Sequence, residues 1–250
     1  MQLEKLIYAI LSQDKNAGRL TSLLSGIKGM SGASLEEVCL DDITVVTSDV
    51  NKADIVVSKS TALDFARVIE TLSQQYTLLP MRFGSVMESA GAIKKMVERN
   101  RAEIVQNLRN VEGRYEFGLK IFCDSEKLMA ELKEKAGNTI TLHAPEPNVS
   151  VFRDYVNRKL SEHRLEEMLV HYVDAIIAEI TGTLTALNAV QKIKKMVSPA
   201  MIIDAVFLIE ASLKDELVSS IAGLQEKYPS LNLMMTGPWP PYNFVDFTVK

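Results

Sequence analysis

Three prolines within four residues, Pro238, Pro240 and Pro241, set the strictest limit on how this chain can end. Each fixes φ and removes a backbone donor. The stretch 236–245 is therefore barred from the centre of a sheet, where the ladder needs those N–H groups. It reads instead as a stiff, polyproline-like path that costs little entropy to hold in one shape. The only tryptophan, Trp239, lies between the prolines, and Tyr242 and Phe244 follow. Because the apolar run 231–235 comes directly before it, the segment is expected to leave a sheet edge and lay its aromatics on a surface. That surface belongs either to its own domain or to a partner.

Upstream, the pattern changes between strand and helix. Strands are expected at 6–11 and 42–47, and a polar, glycine-dotted stretch lies between them. Apolar residues at helical spacing mark a helix at 61–76, with Ser60 or Thr61 as its N-cap. Strand character returns at 77–86, interrupted by Pro80 and Gly84, and a single long charged helix is expected at 90–111. After Gly113 the pattern restarts: a strand at 115–123, a short helix at 125–135 and a stiff loop at 137–150 containing Pro145 and Pro147. A long amphipathic helix at 151–180 follows, which Thr181, Gly182 and Thr183 should end or weaken. Residues 184–197 are ambiguous between helix and strand. The strongest strand is at 201–210, before a helix at 213–228 and a strand at 231–235. If 184–197 holds a strand, the second half reads β-α-β-β-α-β, the ferredoxin-like order.

The expected fold is α+β in two domains. Residues 1–112 form an N-terminal α+β domain. Residues 113–250 form a modified ferredoxin-like domain with a Pro/aromatic tail at 236–250. The proline-containing loop at 137–150 is the alternative boundary.

Composition narrows the function. With 47% hydrophobic and 24% charged residues the chain matches a globular protein. A net charge of −4 argues against nucleic acid as partner. The basic run Lys192, Lys194 and Lys195 reads as a solvated face. No apolar run reaches the ~18 residues needed to span a bilayer, so no membrane partner is expected. The start lacks a signal peptide, which makes a cytoplasmic location the default. Cys39 and Cys123, far apart, read as small buried hydrophobes in a reducing compartment.

Few constellations suggest chemistry. Gly26, Gly29 and Gly32 resemble a phosphate loop only in composition, because the Gly-Lys-Ser/Thr ending is missing. His163, Glu167 and His171 share one helix face, but three ligands along two turns do not converge on one metal. His143 stands alone in the polar loop. No nucleophile has a triad-like setting. Neither a cofactor nor an enzymatic activity is expected.

The segment Leu79-Pro80-Met81-Arg82-Phe83-Gly84-Ser85-Val86 is different in kind. Pro80 marks a strand start or edge, and Gly84 permits a bulge or close approach. Alternation puts Met81 and Phe83 on one face and Arg82 on the other. Arg82 either pairs with a carboxylate, pinning the strand to a helix, or offers its planar fork to a partner.

This segment resembles the LPxRFG signature of the GvpL/GvpF gas vesicle proteins. Thr236-Gly237-Pro238-Trp239-Pro240-Pro241-Tyr242-Asn243-Phe244-Val245 resembles the family's GPWPPYxF signature. Residues 7–10, 115–120 and 205–209 also follow the family pattern, in order along nearly the whole chain. One departure is local: where relatives often carry a PG.aYL segment, this chain has Pro147-Asn148-Val149-Ser150-Val151-Phe152. The resemblance implies an accessory or minor structural protein of the gas vesicle, located at the vesicle and in the cytoplasm. It implies binding of the small hydrophobic shell protein and of other accessory proteins. It brings no catalytic residue.

The partner-binding candidates are Arg82, Phe83, Pro238, Trp239, Pro240, Pro241, Tyr242 and Phe244. The eleven methionines, Met234 and Met235 among them, suit an adaptable contact surface or fill the core. A ferredoxin-like ligand-binding regulatory module is the alternative function, separable by a thermal shift with a small molecule.

Overall fold

The computed structural model describes residues 3–12, 17–124, 127, 151–195 and 201–245. The expected helix at 125–135, apart from Lys127, and the loop at 137–150 with His143 lie outside them, as does the departure at 147–150.

The chain divides into two compact units, Met1–Glu116 with Gly237–Lys250, and Phe117–Thr236. The sequence reading keeps the whole tail with the second half. From Gly237 onward the chain instead groups with the first unit, where Glu116 binds it.

The first unit is built on strand β1 (Glu4–Ser12). Residues 6–11 of β1 are all fully buried, as a continuous apolar run requires. Strand β2 (Leu35–Leu40) pairs with β3 (Ile43–Val50), and β3 runs antiparallel along one flank of β1. On the other flank lie β4 (Leu78–Pro80) and β5 (Val86–Met87), both antiparallel to β1.

Helix α1 (Ala17–Gly26) and strand β2 replace the irregular stretch read from the glycines. Leu20 and Leu24, four apart and buried, were the helical signal there. Helix α2 (Lys59–Ser73) buries Phe65, Val68, Ile69 and Leu72. Its N-cap is Ser58, one turn before Thr61, and the two residues form a reciprocal capping box. The single helix expected at 90–111 breaks into α3 (Ala90–Arg99) and α4 (Arg101–Val111). Asn100 makes the break, with φ −108° and its side-chain amide donating to the Met96 carbonyl at 2.8 Å. The break lets Ile93, Met96 and Val97 on one helix and Ile104, Leu108 and Val111 on the other all reach the interior.

The second unit contains the order β6 (Arg114–Cys123), α5 (Val151–Ala186), β7 (Val190–Lys195), β8 (Met201–Glu210), α6 (Lys214–Lys227) and β9 (Leu231–Trp239). Its four-stranded sheet has the order β7-β8-β6-β9. Phe117, Leu119 and Ile121 of β6 alternate inward, as do Ile203, Ala205, Phe207 and Ile209 of β8. Phe117 and Phe207 stack at 6.0 Å between ring centroids.

The helix expected to end near Gly182 runs on to Ala186. Val173, Ile176, Ile180, Leu184 and Leu187 are all buried, and this stripe outweighs the glycine. The stop comes at Asn188, whose φ of +52° takes the left-handed position after the helix. Ala189 N–H donates to the Leu184 carbonyl and Asn188 N–H to the Thr185 carbonyl, each at 3.0 Å, a Schellman closure. Strand β7 then resolves the ambiguous stretch. At the far end of α6, Glu179 of α5 accepts from Tyr228 Oη at 2.5 Å and from Lys227 Nζ at 2.7 Å. The Lys227 hydrogen bond, then that of Tyr228, holds the Glu179 carboxyl below its ordinary range.

Candidate functional site

Strands β4 and β5 lie along one flank of β1 but are not continuous. Met81 N–H donates to the Tyr8 carbonyl at 2.9 Å, and Ile7 N–H donates to the Ser85 carbonyl at 2.8 Å. Between these two bonds, Arg82, Phe83 and Gly84 loop out of the sheet. Ser85 N–H donates to the Arg82 carbonyl at 3.1 Å, closing a β-turn, and Gly84 occupies its left-handed position at φ +85°. The bulge expected from Pro80 and Gly84 is thus a complete turn.

What holds the turn is aromatic. Phe83, half-buried, meets Phe65 of α2 edge-on at 5.4 Å, and Phe65 stacks on Tyr8 at 4.9 Å. Tyr8 is fully buried, and its hydroxyl accepts the Met30 N–H at 2.8 Å and bonds Ser48 Oγ at 3.0 Å. Here the glycine-rich loop has its role. A Cβ on Gly29 would lie 2.5 Å from the Tyr8 hydroxyl, so the loop closes over a buried phenol and needs glycine there.

Arg82 points the other way. It is exposed, and among the described residues no carboxylate lies within ion-pair distance of its guanidinium. The sequence left two readings open for Arg82; among the described residues no carboxylate pins it to a helix, and Phe83 makes the contact with helix α2.

The tail is held by different means. Strand β9 runs on through Trp239, four residues beyond its expected end, at the margin of the sheet. Pro240 and Pro241 are buried. Tyr242 N–H donates to the Pro240 carbonyl at 2.7 Å and Phe244 N–H to the Pro241 carbonyl at 3.2 Å, folding the chain back.

The fold-back brings Asn243 to Glu116. The backbone N–H of Asn243 donates to Glu116 Oε2 at 2.7 Å, and its side-chain amide donates to Oε1 at 2.5 Å. Glu116 is only 3% exposed, so this two-point grip satisfies a buried carboxylate. Both residues lie in segments that follow the family pattern, but nothing in the sequence paired Glu116 with Asn243, 127 positions away.

With Pro240 and Pro241 turned in and Pro238 exposed, Trp239 and Tyr242 face out. Trp239 is 41% exposed and Tyr242 is 42% exposed, while Phe244 is half-buried. Desolvation, then the Glu70 and Glu116 carboxylates, pushes the Tyr242 phenol up to about 12. Helix α2 therefore acts on both segments: Phe65 carries Phe83, and the Glu70 charge acts on the Tyr242 phenol. The two positions are five residues apart, about 7.5 Å along the helix.

Other candidates do not assemble. Among the described residues no group of three His, Cys, Asp or Glu is placed to hold a metal ion. Glu167 and His171 are exposed on α5, and the His163 side chain lies outside the described set. Cys39, expected to be buried, is exposed on β2, because the alternation that buries Val38 turns its neighbour outward. Cys123 is half-buried, and no disulfide joins the two cysteines. An open depression lined by Asp42, Arg99, Arg101 and Arg109 escaped the sequence reading. Its Arg101 is already engaged by Asp41 and Asp42. Among the described residues no helix is long and apolar enough to cross a membrane.

Fold and surface together define an α+β protein whose distinctive residues are displayed rather than enclosed in a cleft. Residues 5–246 match the family described as gas vesicle synthesis protein GvpL/GvpF, and the chain belongs to that family, with the role in gas vesicle formation that membership implies. Gas vesicle protein L of Streptomyces sp. (strain CB03234) is 24% identical over 71% of this chain, a match spanning 65% of that protein's length. Gas vesicle protein F1 of Halobacterium salinarum is 23% identical, covering 89% of this chain and 87% of its own. The fold is similar to the crystal structure of gas vesicle protein GvpF from Anabaena sp. PCC7120, with a TM-score of 0.77, 18% identity and coverage of 98% and 99%.

Proposed function

We propose that this chain is a non-enzymatic accessory protein of the gas vesicle. It acts during assembly, at the growing vesicle, by binding the hydrophobic shell protein and other accessory proteins. The observation that carries this reading is the outward display of Trp239 and Tyr242. Their backbone is fixed by buried Pro240 and Pro241 and by the grip of Glu116 on Asn243. Ordering such a contact surface before the partner arrives removes an entropic cost from binding. Exposed aromatics on a fixed backbone are the kind of anchor that dominates protein interfaces.

Arg82, exposed on its turn and without an ion pair among the described residues, adds a directional contact to the same unit. Phe83, Pro238, Pro240, Pro241 and Phe244 set its shape. A shell subunit destined to line a gas space exposes apolar surface before it assembles, and such surface aggregates unless covered. We also assign the second unit to a ferredoxin-like domain, on its β-α-β-β-α-β order and its strand order β7-β8-β6-β9. The two compact units are read as two domains.

The test is capture of the shell subunit from cells that co-express it with the tagged chain. Wild type is expected to retain the subunit. Trp239→Ala and Arg82→Ala, with unchanged melting temperature, are expected to retain much less. Equal capture by all three would remove these residues from the binding surface.

A further inference from the structure

A strand at the margin of a sheet offers its free N–H and C=O groups to any other chain, and proteins usually blunt such margins with charge or brevity. Three of the margins here follow that rule. Strand β2 carries Glu36 and Glu37, with Glu36 paired to Lys5 at 2.5 Å. On the far flank of β1, β4 has three residues ending at Pro80, and β5 has two. Strand β7 carries Lys192, Lys194 and Lys195. Strand β9 is the exception: nine residues without a charge, with Met234 47% exposed.

Its outer flank can be read from three hydrogen bonds. The Gln225 side chain donates to the Leu231 carbonyl at 2.7 Å and accepts the Leu233 N–H at 2.9 Å. In a strand, the C=O of one residue and the N–H two residues on point to the same flank. The Ser230 carbonyl, on the opposite flank, meets the Asp124 N–H just past the end of β6. Gln225 therefore occupies the outer flank and satisfies its first pair of groups. The next groups on that flank are the Leu233 C=O and the N–H and C=O of Met235. Among the described residues no strand pairs with that flank, since β9 ends the strand order.

We propose that the outer flank of β9, from Leu233 to Thr236, receives an extended, uncharged segment of the gas vesicle shell protein by strand addition. The proposal rests on the shell-binding function proposed above and gives it a second, main-chain contact. Charge complementarity selects the occupant. An incoming charge would be desolvated with no counter-charge on the strand, whereas an apolar strand covers Met234 and loses nothing. Gln225 fixes the register, because the incoming strand cannot pair past Leu233 without displacing its side-chain amide. Methionine at the contact adapts to different apolar partners at small cost.

The experiment is hydrogen–deuterium exchange on the full chain, alone and as the complex purified after co-expression with the shell subunit. Exchange at Met235 is expected to slow at least tenfold in the complex, with protection centred on 233–236. Met235→Pro, which deletes the outward N–H, is expected to reduce capture at least tenfold. Met234→Lys, which supplies the charge that the other margins carry, decides the matter if the proline variant melts early.

Capture with protection confined to other elements would overturn strand addition and leave the shell-binding reading intact. No capture by wild type would overturn both. Protection of 233–236 in the chain alone, with a dimeric mass, would assign the edge to a second copy and overturn the proposal.

Discussion

Two segments of the first unit expose side chains, and they are held in opposite ways. The turn at Arg82–Gly84 is anchored through one side chain, Phe83, against a chain of rings that ends at the buried Tyr8 hydroxyl. The segment from Pro238 to Asn243 is anchored through its backbone, by two buried prolines and a buried carboxylate. The first leaves a guanidinium outside; the second leaves an indole and a phenol. Side-chain anchoring ties a surface feature to the core, so damage to one damages the other. Backbone anchoring uncouples them: the aromatics can be removed while the path stays in place.

The largest expected effect falls on the side-chain anchor. Phe65→Ala removes the middle ring of the Tyr8–Phe65–Phe83 chain and should destabilise the first unit by about 3–5 kcal/mol, read by denaturant unfolding. A loss below about 1 kcal/mol would mean the rings do not hold the turn.

Next comes the backbone anchor. Glu116→Ala leaves the Asn243 donors without their acceptor, at about 1–3 kcal/mol. Because Trp239 is the only tryptophan, its fluorescence reports the tail alone, and its emission should shift red in this variant. An unshifted spectrum would show that the prolines suffice.

A smaller effect is pH-dependent. The Tyr242 phenol is raised from 10.0 to about 12, so its neutral form is favoured by folding. That contribution is complete below pH 10 and is lost as pH rises through about 12. The melting temperature should fall across that window, and Tyr242→Phe should flatten the fall. A fall of the same size in both proteins would place its origin elsewhere.

The smallest effect on stability belongs to Arg82→Ala, within about 0.5 kcal/mol, because the guanidinium touches no partner among the described residues. A larger loss would reveal a structural role for it.

These contrasts also explain what could be read from the sequence. Strands β1, β3, β6 and β8 and helices α2 and α6 are legible because their apolar runs or stripes match one period and their burial agrees with it. The interruption in the Arg82 segment is legible because proline and glycine announce it. Helix α1 and strand β2 are hidden by glycines and serines, although Leu20 and Leu24 keep helical spacing. Helix α5 passes Gly182 because buried residues on both sides of it outweigh one poor helix former. Strand β9 runs past its expected end because an edge strand tolerates the proline that a central one would not. The tail's place in the first unit was not legible, because a carboxylate on β6 decides it from 127 positions away. Local pattern specifies elements; a long-range polar pair specifies where the last one docks.

The central claim is that the displayed aromatics of the tail serve gas vesicle formation without supporting the fold. The most direct test replaces both in the living cell. A strain lacking this chain is complemented with wild type or with the Trp239→Ala, Tyr242→Ala double variant, and vesicles are counted by electron microscopy beside the protein's abundance and melting temperature. Normal abundance and melting with few or no vesicles is the predicted result. Normal vesicle numbers in the double variant would contradict it.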